Sequence, residues 1–125
     1  MPAQRAFEPD ETQFGLAVET FKLLADNTRL RILWALLHSE HSVGDLADHV
    51  GAQPPAVSQH LAKLRMSHLV KVRRDGNKIF YAADNAHVRN LVEEALFHTD
   101  HVVSDLPDHE DQPDAPRALE RRRRA

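Results

Sequence analysis

The 125-residue sequence contains no cysteine, which excludes disulfides, nucleophilic thiols and thiolate metal sites together. Any metal ion must therefore be held by nitrogen and oxygen donors. Aromatic residues make up 6% of the chain, too little material for a base-stacking platform. The longest apolar run, Ile32 to Leu37, falls far short of the roughly 20 residues that a membrane span needs. Met1 to Glu11 is polar and acidic, without the apolar stretch of a secretory signal, so a cytoplasmic protein with no membrane partner is expected. No serine or cysteine nucleophile is paired with a base, and no glutamate lies between His98 and His101 to make a zinc-hydrolase motif. Neither an enzyme nor a small organic substrate is expected.

What the chain does have is histidine, nine residues in all, and a concealed basic patch. The net charge of −3 argues against nucleic acid only as an average. Between Ser58 and Lys78 lie Lys63, Arg65, Lys71, Arg73, Arg74 and Lys78 against the single acid Asp75, a local positive field suited to phosphate.

Residues 1–12 show no sustained period and read as a flexible arm; structure is expected to begin near Gln13. Phe14, Ala17, Val18, Phe21, Leu24 and Ala25 recur at three and four residues, which predicts a helix with one buried face. Asp26 and Asn27 can cap a second helix with Leu30, Leu33, Trp34 and Leu37 inward. Ser42 caps a short helix, Val43 to Val50, which Gly51 ends. Pro54 and Pro55 suit the first turn of a fourth helix running to about Met66, with Val57, Leu61 and Leu64 as core. Two β-rich runs, Leu69 to Arg73 and Lys78 to Ala82, are joined through Asp75-Gly76, a hairpin signal. A last helix follows a cap at Asp84 or Asn85 and extends to about Val103. Residues 13–103 thus form one domain, and residues 104–125 read as a mostly disordered tail in which the Arg121 to Arg124 run is solvated. A short helix, a tight turn, a second helix and a basic hairpin define the fold class: mainly α with a β-hairpin wing, a winged helix-turn-helix.

In that arrangement the N-terminal turns of the second helix of the motif enter the major groove. Gln53, Ala56, Ser58, Gln59, His60 and Lys63 stand there, with amide, hydroxyl, imidazole and ammonium groups that can reach bases or phosphates. Arg73, Arg74, Asn77 and Lys78 on the wing would grip the backbone or an adjacent minor groove. The partner expected is double-stranded operator DNA.

Three stretches carry a resemblance to a known family: Leu23-Leu24-Ala25-Asp26-Asn27-Thr28-Arg29-Leu30-Arg31-Ile32-Leu33, Val57-Ser58-Gln59-His60-Leu61-Ala62-Lys63-Leu64, and Val72-Arg73-Arg74-Asp75-Gly76 through Ile79-Phe80-Tyr81. In this order, across roughly Phe14 to His101, the chain resembles the ArsR/SmtB bacterial repressors. The resemblance implies a homodimer, joined through N- and C-terminal helices, that sits on a palindromic operator and leaves when an inducer, often a metal ion, binds.

The last helix supplies candidate ligands. At about 100° per residue, His98 falls about 20° from His87 and His101 about 40° to the other side, so all three share one face. Eleven residues span about 16.5 Å of helix, so one chain cannot close His87 and His98 on one ion. An antiparallel partner helix can. Val88, Leu91, Val92, Ala95, Thr99 and Val102 form the adjacent apolar stripe, which places the histidines at the edge of a dimer seam, and Glu94 lies close enough on the wheel to support or join them.

The spacing resembles the C-terminal-helix sensing site of the family. Where the family's tetrahedral zinc sensors usually carry an acid, two residues before the first histidine, this chain has Asn85, a poor zinc ligand. Asp100, His101, His109 and Glu110 resemble the nickel/cobalt-sensing branch, whose helix end and following tail join the coordination shell. On an ideal helix Asp100 lies about 220° from His87, so its participation requires unwinding or a folded-back tail. Counting His87 and His98, these donors exceed four, which suits five- or six-coordinate nickel(II) or cobalt(II). Zinc as inducer, and a DNA-binding regulator indifferent to metal, remain alternatives.

Overall fold

Three of the five helices open on a side chain that accepts an otherwise orphaned backbone N–H. The computed structural model describes residues 6–105. In α1 (Glu11–Leu24) the N-cap is Asp10: the Gln13 amide donates to its Oδ1 at 2.9 Å, and the Asp10 amide donates to Gln13 Oε1 at 3.0 Å, a closed capping box. This pair starts the helix two residues ahead of Gln13. Asp26 caps α2 (Asn27–His38) through the Arg29 amide at 2.9 Å, and Ser42 caps α3 (Val43–Val50) through the Asp45 amide at 3.2 Å. Gly51 ends α3 in the left-handed conformation, φ 68°, where a side chain would be strained. α4 (Pro54–Met66) begins with prolines in its first turn instead of a side-chain cap.

α4 stops in a Schellman motif. The Leu69 amide donates to the Leu64 carbonyl at 2.9 Å and the His68 amide to the Arg65 carbonyl at 3.0 Å. The residue between helix and strand, His68, takes φ 61°, a conformation more comfortable for glycine. Buried Leu64 and Leu69 flank the turn.

The chain then forms an antiparallel hairpin, β1 (Val70–Asp75) and β2 (Lys78–Ala83), in register from Val70 opposite Ala83 to Asp75 opposite Lys78. Asp75 is therefore the last residue of β1, and the two-residue loop is Gly76-Asn77, one position later than the Asp75-Gly76 turn expected. With φ 61° at Gly76 and no positive φ at Asn77, the loop matches a type II′ turn, whose first central position requires glycine.

The chain divides into two units at Asn85 and Ala86. In the first, α1 to α4 and the hairpin surround a core of Ile32, Leu33, Leu36, Leu37, Leu46, Val57, Leu61, Leu64, Leu69 and Val70. Val57, Leu61 and Leu64 are buried as their spacing predicts. α2 buries Ile32 and Leu36 beyond the expected stripe because it packs against α1, α3, α4 and β2 and is covered on several sides. α1 differs in the opposite sense. None of its residues is buried, and Phe14, Leu16, Val18 and Phe21 are at least half exposed. Its apolar face exists but is not covered among the described residues.

The second unit is α5 (Ala86–Ser104), continuous through the positions of all the helix-borne metal candidates. Val88 and Val92 are its buried residues; Phe97 and Val102 are about half exposed. His109, Glu110 and the Arg121 to Arg124 run lie outside the described residues.

His68→Gly should raise the free energy of unfolding by about 1 kcal/mol by removing left-handed strain. Urea denaturation checks this as a higher midpoint at unchanged slope; a lower midpoint would mean that the imidazole makes contacts worth more than the strain.

Candidate nucleic-acid interface and metal-ligand face

The orientation of α4 follows from its buried stripe. With Val57, Leu61 and Leu64 wholly enclosed, Gln53, Ala56, Ser58, Gln59 and Lys63 are exposed. Gln53 is the N-cap residue but makes no side-chain capping bond, so its amide is not committed to the helix. His60 differs from its neighbours. It is half-buried, and its Nδ1 lies 3.4 Å from Arg29 Nη1 on α2. Arg29 also donates from Nε to the Leu23 carbonyl at 2.7 Å, so one guanidinium ties the end of α1, the first turn of α2 and the middle of α4. The Asp26 carboxyl is held below its usual pKa chiefly by the Arg29 amide it accepts from, with the Arg29 charge adding to the effect.

On the wing, Arg73, Arg74, Asn77 and Lys78 are exposed. Arg74 and Lys78 carry no ion pair among the described residues. Arg73 is engaged. Its Nε donates to Glu40 Oε2 at 2.9 Å and its Nη2 to Glu40 Oε1 at 2.8 Å, a bidentate pair. The guanidinium also lies over the Phe80 ring, 4.9 Å from its centroid, and Phe80 is its cross-strand partner. The hydrogen bonds from Arg73 hold the Glu40 carboxyl below the ordinary carboxylate range, and Glu40 in turn raises the Arg73 pKa.

The preceding loop reaches the other strand. The His41 amide donates to the Tyr81 carbonyl at 3.0 Å and the Tyr81 amide to the His41 carbonyl at 2.9 Å, an isolated antiparallel bridge. The His41 ring lies 3.0 Å from the Ser39 hydroxyl and meets His49 edge to face, with ring centroids 4.9 Å apart. Four further histidines, His38, His41, His49 and His68, lie outside the last helix and the recognition helix. Two of them, His41 and His49, are neighbours, because the bridge to β2 turns His41 toward the last turn of α3. Neither this contact nor the Glu40–Arg73 pair, 33 residues apart, leaves a local sequence signal.

On α5, His87, Glu94, His98 and His101 are all exposed. Among the described residues, no group of three or more histidine, aspartate or glutamate side chains is arranged to hold a metal ion. This agrees with the helix arithmetic, since a single α5 cannot bring His87 to His98. Asp100 is half-buried, and the unbroken helix keeps it about 200° from His98, off the histidine face. The Ser104 hydroxyl donates to the Asp100 carbonyl at 2.9 Å. Among the described residues, no helix is long and apolar enough to cross a membrane.

Four helices, the last of them with a polar face open to solvent, followed by a basic hairpin define a winged helix-turn-helix DNA-binding regulator. Residues 26–72, from the cap of α2 into β1, match the family described as "Bacterial regulatory protein, arsR family". The HTH-type transcriptional regulator KmtR of Mycobacterium tuberculosis is 52% identical over 101 residues, which cover 81% of this chain and 77% of that protein. The chain belongs to the ArsR family of bacterial transcriptional regulators and is not an enzyme. Among solved structures, the antimony-specific transcriptional repressor AntR superposes with a TM-score of 0.70 at 33% identity, covering 84% of this chain and 96% of that one. A homodimeric winged helix-turn-helix DNA-binding domain from Mycobacterium bovis superposes with a TM-score of 0.68 at 26% identity, covering 77% and 91% of the two chains.

A carboxylate whose pKa is depressed in the folded state stabilises while ionised, so the Glu40–Arg73 pair is complete above the ordinary carboxylate pKa. It is lost as pH falls through the lowered value. Carbon-detected NMR titration should show Glu40 titrating below an unpaired glutamate, and Arg73→Gln should return it to the usual range. An unchanged titration in the variant would remove Arg73 as the cause.

Proposed function

We propose that this protein is a homodimeric, metal-responsive transcriptional repressor that binds operator DNA and is released when nickel or cobalt binds at its C-terminal helices. The observation that carries the reading is the exposed line of His87, His98 and His101 along an unbroken α5, in a chain of the ArsR family that has no cysteine. Their spacing cannot close on one ion within a chain and can close across an antiparallel pair of α5 helices.

Support for a dimer comes from both ends of the domain. The apolar face of α1 and the Phe97 and Val102 positions of α5 are exposed in one chain, and large apolar side chains gathered on a helix face suit an association surface. The related Mycobacterium bovis domain is described as homodimeric. Two α4 helices would then present Gln53, Ser58, Gln59 and Lys63 to successive major grooves, with Arg74 and Lys78 of each wing along the backbone.

The inducer assignment rests on donor chemistry. Thiophilic ions lack their ligands here, and imidazole with carboxylate suits nickel(II) and cobalt(II) at five or six positions. His87, His98 and His101 are the core of the set; His109 and Glu110 extend it from the tail. Asp100, which the continuous helix keeps off the histidine face, would join only through unwinding of α5 or a folded-back tail. Metal at the seam favours a dimer geometry in which the recognition helices no longer match the groove spacing, and a coupling of about 1–3 kcal/mol changes DNA affinity by roughly 5- to 150-fold.

The test is fluorescence anisotropy on a labelled duplex selected from a random library by the metal-free protein, at fixed salt, titrated separately with nickel, cobalt and zinc. Release by nickel or cobalt at concentrations where zinc fails is the expected result. Release by zinc alone would make this a four-ligand zinc sensor, and no response to any metal would leave a DNA-binding dimer with another inducer. His87→Ala or His101→Ala should keep metal-free DNA binding and lose at least about tenfold of the metal-induced weakening. Loss of metal-free binding would make these residues structural.

A further inference from the structure

We propose that Arg73 is a positioning residue that, with Glu40, seats the wing against the helix-turn-helix, and that it is not one of the phosphate contacts. By location Arg73 looks like a DNA ligand: it is exposed, cationic and on the basic hairpin. One edge and one face of its guanidinium are already committed. Nε and Nη2 spend one edge of the guanidinium on both oxygens of Glu40, at 2.9 and 2.8 Å. Phe80 covers a face at 4.9 Å, and Nη1 lies 4.0 Å from Asp75 Oδ2. To turn its Nε/Nη2 edge to a phosphate, Arg73 would exchange one bidentate charged pair for another and leave Glu40 as an uncompensated anion beside DNA. The net gain from that exchange is small.

The same geometry gives the pair a mechanical role. Ser39, Glu40 and His41 connect α2 to α3, and this segment holds both strands of the wing. The His41 backbone pairs with Tyr81 of β2 in both directions, and the Glu40 side chain holds Arg73 of β1. A two-stranded hairpin is marginal by itself. Tied at both strands, its tilt is set by the loop that leads into the helix-turn-helix. That tilt decides where Arg74 and Lys78 fall when α4 lies in a groove.

This inference rests on the DNA-binding reading for its consequence, but not for its geometry, and the two are separable by experiment. Glu40→Gln is decisive because charge and geometry predict opposite signs. Removing an acid beside a DNA-binding wing should tighten binding if only the field matters. If the pair positions the wing, binding weakens by about three- to tenfold, the size expected of an exposed bidentate pair in each of two wings. Arg73→Gln should weaken binding by the same factor, and the double variant Glu40→Gln, Arg73→Gln should be no weaker than either single one. For both variants the slope of log affinity against log salt stays that of the wild type. Arg74→Gln, at a proposed phosphate ligand, should reduce that slope by about 0.9 for each phosphate it no longer neutralises.

A second measurement needs no DNA. Amide exchange at His41 and Tyr81, the two N–H groups of the bridge, should be at least about threefold faster in Glu40→Gln and in Arg73→Gln than in the wild type. Tighter or unchanged DNA binding by Glu40→Gln, a lowered salt slope in Arg73→Gln, or unchanged exchange at both amides would each overturn the proposal. Failure of the wild type to select any duplex would refute the DNA reading, and the exchange data would still decide whether the pair seats the wing.

Discussion

Val57, Leu61 and Leu64 have no solvent exposure, and the rotation of α4 about its axis is fixed by keeping them so. Turning the helix by one residue would draw this stripe out of the core and drive polar groups such as Ser58 and Arg65 into it, at a cost of several kcal/mol. The outward set follows from the inward one. The residues proposed to contact DNA therefore contribute little to folding, on a helix whose placement folding has already decided.

A second constraint is that the chain is incomplete as a surface. α1 buries nothing, although its sequence carries a regular apolar stripe, and α5 carries three histidines that one helix cannot gather. Both features make physical sense when a second copy supplies what is missing: apolar cover for one helix and complementary imidazoles for the other. Under the proposed function, a metal-ligand face at a subunit seam would let a small ion act on DNA without touching it, because the seam would set the separation of the two recognition helices.

Elements specified by neighbours along the chain are legible in the sequence alone. Ser42 and Gly51 mark both ends of α3, the prolines mark the start of α4, and the three-and-four spacing identifies Val57, Leu61 and Leu64. The hairpin is legible too, but its loop falls one residue later than the sequence suggests, because Asp75-Gly76 and Gly76-Asn77 are both acceptable turn pairs and only the strand register separates them. Burial on α1 departs from expectation because periodicity reveals a face and not what covers it. The Glu40–Arg73 pair, the Arg29–His60 contact and the His41–His49 pair join residues whose proximity is created by packing. His60 shows the result: by position it belongs with the groove-facing residues, and by contact it belongs with Arg29. For the proposed metal-ligand face, spacing alone suffices to bring three histidines to one side of α5, whereas His109 and Glu110 lie outside the described residues.

The sheet of the wing has two strands, and the His41 bridge gives β2 a short backbone partner on its outer side. β1 has no such cover among the described residues, and an uncovered strand edge is a template on which another extended chain can add. Lys71, Arg73 and Arg74 lie along that strand. Charges of one sign on an open edge repel a second copy of the same edge, so Lys71 and Arg74, the latter a proposed phosphate contact, also oppose edge-to-edge pairing when no DNA is bound.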